Sequence, residues 1–194
     1  MQEIAPGLWR WTGLHPDWTP GDAGEEGWEQ EVGCVYYEAP AAIALIDPLV
    51  PPEDSERFWT ALDRDVQRAG RPVNVLLTVD WHGRSADAIA ERYGATRTVP
   101  AGVEELAISG VGGETERLYW LPAHNALVTG DVILGADGGV RLCPDSWLPE
   151  DLRGEPIRRE LAPLLELPVE RILVSHGTPV LHNGLEALRR ALDV

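Results

Sequence analysis

Polar residues that could bind a metal ion or move a proton follow four apolar segments of the sequence. They are Asp47, the stretch 78–85, Gly130 with Asp131, and the stretch 175–177 that contains His176. In layered α/β proteins, functional side chains gather where strands end and loops begin. Each group alone is also ordinary turn chemistry, because Asp before Pro and Gly before Asp are common in loops. Four such groups in this order favour a functional site.

The elements that must position these groups alternate between strands and helices. The first half predicts strands at 7–12, 32–37, 41–46, 73–79 and 96–99, with helices at about 54–69 and 85–93. The second half predicts strands at 103–108, 116–121, 126–129, 132–134 and 171–174, a turn at 135–139, and helices at 156–165 and from a cap at Asn183 onward. Two such halves, about 1–100 and 101–194, predict a single α/β domain. Its predicted architecture is a four-layer sandwich of helix, sheet, sheet and helix.

A loop at 14–30 separates the first two predicted strands and is rich in Gly, Pro, Trp and acidic residues. It carries His15, Trp18 and Trp28. Because exposed Trp is unfavourable, we expect these rings to fold back over the core or over a cleft. The acidic residues of the loop, Asp22 and the pair at 25–26, are interpreted as a solvated face.

The strand ends, taken in order, resemble the metallo-β-lactamase-like hydrolase superfamily. The matching segments are Leu45-Ile46-Asp47, Leu76-Leu77-Thr78, Leu127-Val128-Thr129-Gly130-Asp131 and Val174-Ser175-His176-Gly177. The resemblance covers nearly the whole chain, from Ile4 to the terminal helix. It implies an αββα sandwich that holds one or two zinc or iron ions between its sheets. It also implies that a metal-bound hydroxide attacks an ester, thioester, lactam or phosphoester.

The chain departs from the superfamily at most of the expected metal ligands. After Thr78 the superfamily has His-x-His-x-Asp-His, whereas this chain reads Val-Asp-Trp-His-Gly-Arg over 79–84. The next expected His falls within 108–115, which contains none. Asp131 matches the bridging carboxylate of the superfamily and His176 matches its final His. Two ligands are too few, since a zinc site needs three or four.

Several residues could complete the site. His82 lies one position out of register and could join Asp131 and His176 as a ligand, or serve as a structural residue. A further carboxylate or imidazole could come from one of four other residues: Asp80, Asp87, His15 or His124. His124 is most simply part of a hairpin turn, and His182 part of a helix start.

The basic and aromatic residues of the same stretch have their own interpretations. Arg84 could pair with Asp131 and Asp47 in place of a metal, or it could bind an anionic substrate. Trp81 would then form an apolar wall. Cys34 and Cys143 are interpreted as small core residues, because no neighbouring cation marks a reactive thiolate.

The composition excludes several classes of function. The 194 residues carry 32 acidic against 16 basic side chains, a net charge of -16, so nucleic acid is not an expected partner. All the basic residues are Arg, which excludes Schiff-base chemistry and a P-loop lysine. No apolar run reaches the roughly 18 residues of a membrane span, and the first ten residues do not resemble a secretory signal. We expect a cytoplasmic protein, and the Arg-rich, Lys-free composition suggests a GC-rich bacterial genome.

Two functions are therefore predicted. The first is a hydrolase of a small ester, thioester or lactone, in which His82, Asp131 and His176 hold one zinc, iron or manganese ion and His82 and Asp131 are catalytic. The second is a metal-free relative that binds a small molecule or a partner protein in the cleft, next to Trp81, Arg84 and the 14–30 loop. Both require the polar strand ends, including Asp47, to converge within about 10 Å.

Overall fold

The computed structural model describes residues 1–24 and 26–193, and its strands form two main sheets. The first sheet has five strands in sequential order: β1 (Gln2–Ala5), β2 (Leu8–Leu14), β3 (Glu31–Glu38), β4 (Ile43–Ile46) and β5 (Val73–Leu76). Its neighbours are antiparallel except for β4 and β5, which run parallel. The helices α1 (Ser55–Ala69) and α2 (Ala86–Tyr93) flank β5 in sequence.

The second sheet has four strands and repeats this arrangement of one parallel pair beside antiparallel neighbours. Its strands are β6 (Glu104–Ser109), β7 (Thr115–Leu121), β8 (Ala126–Thr129) and β11 (Arg171–Val174), in the order β11-β8-β7-β6. β8 and β11 are parallel. The strands β9 (Ile133–Ala136) and β10 (Gly139–Leu142) form a separate hairpin, and the helices are α3 (Glu155–Leu161) and α4 (Gly184–Ala191).

Three separate apolar clusters show that these elements stack as four layers. The middle cluster lies between the two sheets and includes Val35, Ile46, Tyr119 and Val128. A second cluster packs the other face of the first sheet against α1 and α2. The third packs the second sheet against α3 and α4. Because successive strand residues point to opposite faces, strands buried on both sides read as continuous apolar runs. The αββα sandwich is confirmed.

The parallel pair in each sheet explains where the polar strand ends lie. Parallel strands end at the same edge of a sheet. Asp47 directly follows β4, and Thr78 lies two residues beyond β5; Asp131 and His176 each lie two residues beyond β8 and β11. The main chain joins the two edges, since the Gly33 N–H donates to the Ser175 carbonyl at 2.7 Å.

Some predicted elements were wrong. Residues 96–99 form no strand: Thr96 makes a single bridge to Asn74, whose side-chain amide holds Thr96 and Thr98. The turn predicted at 135–139 is present but shorter: the chain turns over 137–138, between β9 and β10. β5 ends at Leu76 rather than at 79, because the Thr78 N–H donates a hydrogen bond to the Asp47 carboxylate at 2.8 Å instead of to a neighbouring strand.

The remaining differences concern the N-terminus and the last helices. β1 was not predicted. α3 ends at Leu161 and continues as a 3-10 turn over Ala162–Glu166, which contains a proline. Asn183 precedes α4 in the left-handed region, φ 58°, but its side chain makes no capping hydrogen bond. None of the helices among the described residues is both long and apolar enough to span a bilayer.

Candidate metal centre

Three buried side chains meet at the edge where the two sheets join: His82, Asp131 and His176. One potential ligand atom from each lies within 4.8 Å of the others. His82 Nε2 and His176 Nε2 each lie 3.2 Å from Asp131 Oδ1. Despite these distances, Asp131 Oδ1 has no hydrogen-bond partner of good geometry among the described residues. The other carboxylate oxygen, Oδ2, accepts a hydrogen bond from Trp81 Nε1 at 2.8 Å.

This arrangement fits a divalent cation. Ligand atoms about 2.0–2.2 Å from a tetrahedral zinc are separated by about 3.3 Å, close to the two 3.2 Å separations at Asp131. Two imidazoles and one carboxylate are also the ligand set of many non-haem iron sites. The unpartnered Oδ1 is the atom that such a cation would contact.

Asp47 orients His82 from behind. Its Oδ2 lies 3.0 Å from His82 Nδ1 and also accepts hydrogen bonds from the hydroxyls of Thr78 and Ser175. The buried carboxylate therefore favours a proton on Nδ1 and leaves the lone pair of Nε2 available to a cation. A carboxylate behind a histidine in this way is typical of metal ligands. Asp47 itself adopts a positive φ of 47°, which turns the chain sharply out of β4.

The electrostatics show a site that attracts positive charge. Burial alone would lower the pKa of His82, but Asp131 and Asp47 outweigh it and raise that pKa to about 9. Burial would raise the pKa of Asp131, yet the two histidines hold it well below its usual range. Burial lowers the pKa of His176, which favours its neutral form. The centre combines carboxylates that stay ionised with one neutral imidazole.

Both His82 and Arg84 face inward, but they do different things. Arg84 Nη1 donates to the main-chain carbonyls of Gly33 and Asp47, both at 3.1 Å. The expectation that Arg84 pairs with the carboxylates of Asp47 and Asp131 was wrong, because its hydrogen bonds go to main-chain oxygens. Its φ of 33° is unusual for a residue with a Cβ and shows that the turn is held in place by its surroundings.

A cavity of about 830 Å³ opens above the three ligands. Its walls include Trp28, Trp81 and Trp147, and His15 lies at its side. The Trp28 ring meets His176 edge-on with 5.2 Å between ring centroids, and it meets His15 in the same way at 5.3 Å. The loop at 14–30 thus folds over the cleft, as one of the two sequence interpretations proposed.

Solved structures with similar chain paths are metallo-β-lactamases. The enzyme from Erythrobacter litoralis superposes with a TM-score of 0.62 at 15% identity, covering 99% of this chain and 89% of the other. DIM-1 metallo-β-lactamase superposes with a TM-score of 0.60 at 10% identity, covering 99% of this chain and 94% of the other. The enzyme from Hirschia baltica superposes with a TM-score of 0.55 at 14% identity, covering 98% of this chain and 94% of the other. The chain has the metallo-β-lactamase fold. No sequence-family profile and no curated protein matches it.

Within this metallo-β-lactamase fold, Glu116 is a site residue that the sequence analysis missed. It is fully buried in β7, and its carboxylate accepts hydrogen bonds from the main-chain N–H groups of Gly130, Asp131 and Val132 at 2.9–3.2 Å. Burial, followed by the nearby Asp131, raises the pKa of Glu116 to about 8. Glu116 therefore shapes the turn that presents Asp131.

A sequence signal for Glu116 did exist. It alternates with Leu118 and Trp120, which belong to the apolar cluster under α3 and α4. An acidic residue on the core-facing side of a strand needs a polar partner. Gly130 completes the arrangement, because a Cβ there would lie 2.8 Å from Thr78 Oγ1 and 3.1 Å from the Glu116 carboxyl carbon.

Other predicted candidates lie away from the centre of this metallo-β-lactamase fold. Asp80 is exposed and pairs with Arg117 at 3.3 Å, so its placement in the pocket was wrong. Asp87 is exposed and pairs with Arg97. Trp18 is displaced from the main cavity: its Nε1 donates to the Trp28 carbonyl at 3.0 Å, and its ring lines a smaller cavity of about 330 Å³.

The histidines and cysteines elsewhere have the simple roles that the sequence indicated. His124 lies in a short 3-10 turn with its ring against Tyr37, and His182 is exposed beside Glu170. Cys34 and Cys143 are buried and unbridged. Burial, the largest influence on each thiol, raises the pKa of Cys34 to about 11 and that of Cys143 to about 12.

The acidic residues of the 14–30 loop differ from the prediction. Glu25 lies outside the described residues. Asp22 and Glu26 line the main cavity rather than forming only a solvated face. Trp147, from the segment after β10, also lines it and was not predicted.

Proposed function

We propose that the protein is a hydrolase of small esters, thioesters or lactones that uses a single divalent metal ion. His82, Asp131 and His176 would hold the ion. The observation that carries the proposal is Asp131 Oδ1, a buried carboxylate oxygen between two imidazole nitrogens that has no hydrogen-bond partner in the described part of the chain. Buried polar atoms in native proteins nearly always have a partner, and a bound cation would supply one here.

The reaction adds water across the acyl bond and releases an acid together with an alcohol or thiol. A bound divalent cation lowers the pKa of its water to about 7 and polarises the carbonyl. Asp47 holds the proton on His82 Nδ1 and so keeps Nε2 available as a ligand. Trp81 fixes the second oxygen of Asp131. The indole rings around the cavity exclude bulk water from the acyl group.

Metal analysis of the full chain tests this proposal. Protein purified without chelators, or stripped and then given zinc, iron or manganese, is expected to bind one ion per chain. His82→Ala and His176→Ala should each lower the affinity for the ion by at least about 100-fold, since a ligand contributes more than the 10–100-fold of a supporting residue. His182→Ala, a surface change outside the site, is the matched control and should retain full binding.

Less than about 0.1 ion per chain, with no uptake of any of the three metals, would contradict the proposal. Equal binding by His82→Ala and His182→Ala would contradict the assignment of the ligands.

We propose as a second candidate that the cleft binds a small molecule without any metal. Two observations favour it. Arg84 occupies the position of the last expected histidine and points inward. Trp81 occupies the position of the second expected histidine and donates a hydrogen bond to Asp131. Ligand binding that persists in chelator-treated protein, with no metal uptake, supports this candidate. Metal uptake at one ion per chain excludes it.

A further inference from the structure

We propose that the cavity above the metal centre binds an organic cation, so that the substrate carries an alkylammonium group. As a statement about substrate, the inference rests on the proposed hydrolase function. As a statement about binding, it stands on the cavity alone. The acyl group would lie at the ligand triad and the ammonium group at the acidic outer wall.

The walls of the cavity are rich in indole rings. Trp28, Trp81 and Trp147 all line it. The indole N–H of Trp81 is already engaged by Asp131, and that of Trp147 donates to the main-chain carbonyl of Glu26 at 2.8 Å. The only polar atom of each ring is therefore already engaged, and a ligand would meet these rings through their carbon atoms. Aromatic rings attract alkylammonium groups, and Trp does so most strongly.

Two acidic residues, Asp22 and Glu26, line the same cavity. Asp22 accepts hydrogen bonds from the N–H and the hydroxyl of Thr19, and the first of these contacts lowers the pKa of Asp22 below its usual value. Glu26 accepts a hydrogen bond from the Ser146 hydroxyl, which joins the 14–30 loop to the Trp147 segment. An acidic group and an indole are thus held together at one wall of the cavity.

Among the described residues that line the cavity, guanidinium charge comes from one residue, Arg84. Its Nη1 donates to two main-chain carbonyls, and its Nε and Nη2 are buried without a hydrogen-bond partner among the described residues. The anionic substrate considered from the sequence would have to bind at this guanidinium, and the anionic probe below tests that alternative. The net charge of -16 also attracts cations to the molecule and repels anions.

The cavity is large enough for a ligand that carries an acyl group at one end and an ammonium group at the other. Its volume of about 830 Å³ falls within the range of small-molecule sites, about 300–1,000 Å³. Asp131, with its unpartnered oxygen, is buried at the inner wall. Asp22 and Glu26 come from the loop at the outer wall.

Calorimetric titration of the full chain with three acetate esters of similar size tests the inference. The probes are acetylcholine, its uncharged carbon analogue 3,3-dimethylbutyl acetate, and the anionic 3-acetoxypropanoate. Chelator is present throughout, so that neither metal nor hydrolysis contributes. We expect acetylcholine to bind about tenfold more tightly than the uncharged ester, and the anion to bind most weakly. Equal or tighter binding of the uncharged or anionic ester would overturn the inference.

Two variants locate the binding. Glu26→Gln should reduce acetylcholine affinity at least about threefold and leave the uncharged ester unaffected, because only the charge is removed. Trp147→Leu should weaken both esters. Trp59→Leu is the matched control. Trp59 lies on α1 and stacks against Arg92 of α2, and it is not among the residues that line the cavity. Its replacement should change the affinity for neither ester. A preference for acetylcholine that survives both cavity variants would also overturn the inference.

The outcomes separate this inference from the proposed function. Tight acetylcholine binding without metal uptake or hydrolysis contradicts the hydrolase and leaves the cation site intact. Hydrolysis of all three esters with equal affinity contradicts the cation site and leaves the hydrolase intact.

Discussion

The two sheets meet at one edge, but they contribute to the metal centre in different ways. The second sheet supplies Asp131 and His176 directly after the parallel strands β8 and β11, where the superfamily pattern expects them. The first sheet supplies the third proposed ligand, His82, from a short turn one residue out of the expected register. A ligand at a strand end is fixed by the sheet, whereas a ligand in a turn depends on a supporting residue. Asp47 provides that support.

The largest effect is expected at the second-sheet edge. Asp131→Asn should lower affinity for the metal ion by at least about 100-fold, because an amide oxygen is a much weaker ligand than a carboxylate at the shared position. Trp81→Phe, at the first-sheet edge, removes only a hydrogen bond to Asp131 and should change affinity less than about threefold. Equilibrium titration with zinc measures both, and a larger loss in Trp81→Phe would reverse the comparison.

The supporting carboxylate should come next. Asp47→Asn is expected to reduce metal affinity by about 10–100-fold, the usual effect of losing a carboxylate behind a histidine ligand. It should also destabilise the metal-free fold by about 2–4 kcal/mol, since Thr78, His82 and Ser175 all contact this carboxylate. Urea unfolding with chelator present separates the two effects. Unchanged metal affinity would show that the turn holds His82 without Asp47.

Glu116→Gln tests the corresponding support at the second sheet. The Gln side chain has one acceptor oxygen and one NH₂ group, so it cannot accept all three N–H bonds from the Asp131 turn. We expect a loss of about 1–3 kcal/mol of unfolding free energy, from buried donors left without partners. Urea unfolding measures it. A variant as stable as the unmodified chain would show that water replaces the carboxylate.

Gly130→Ala probes how closely the two edges approach. The added methyl group would meet Thr78 from the first sheet and Glu116 from the second, at distances of 2.8–3.1 Å. Overpacking of this kind typically costs about 1–3 kcal/mol. Gly83→Ala is the control, because a Cβ there meets no atom within 4 Å. Equal stability of the two variants would mean that the edges can separate without cost.

The smallest effect is expected for Asp80→Ala. Asp80 lies two residues before His82, but its carboxylate is exposed and its partner Arg117 lies outside the site. Exposed ion pairs contribute about 0–1 kcal/mol, and metal affinity should not change. A loss of metal affinity comparable to that of Asp47→Asn would show that Asp80 belongs to the site.

Residues at the carboxyl ends of strands could be predicted from sequence, because strand order alone brings them together. Asp131 and His176 are examples. The choice between His82 and Arg84 could not be predicted, since it depends on where the turn over 79–84 is bent. Asp47 decides the bend through the Thr78 N–H, a contact across 31 positions of sequence.

Long-range contacts also explain the other misses. Glu116 was overlooked although its position in an apolar strand pattern marked it, because its three partners belong to a turn 14–16 residues later. Trp147 was overlooked because its place at the cavity depends on Glu26, 121 positions away. Strand order is therefore readable from local patterns, whereas side-chain partners across the two sheets are not.

The two buried cysteines have a practical consequence for spectroscopy. Thiols react as thiolates, and burial keeps Cys34 and Cys143 protonated at neutral pH. A cysteine introduced at exposed Asp17, on the loop over the cavity, would therefore be alkylated by a maleimide dye while both native thiols stay unlabelled. The wild-type background needs no cysteine removal, so a single fluorophore can report in real time on how ligands enter the cleft.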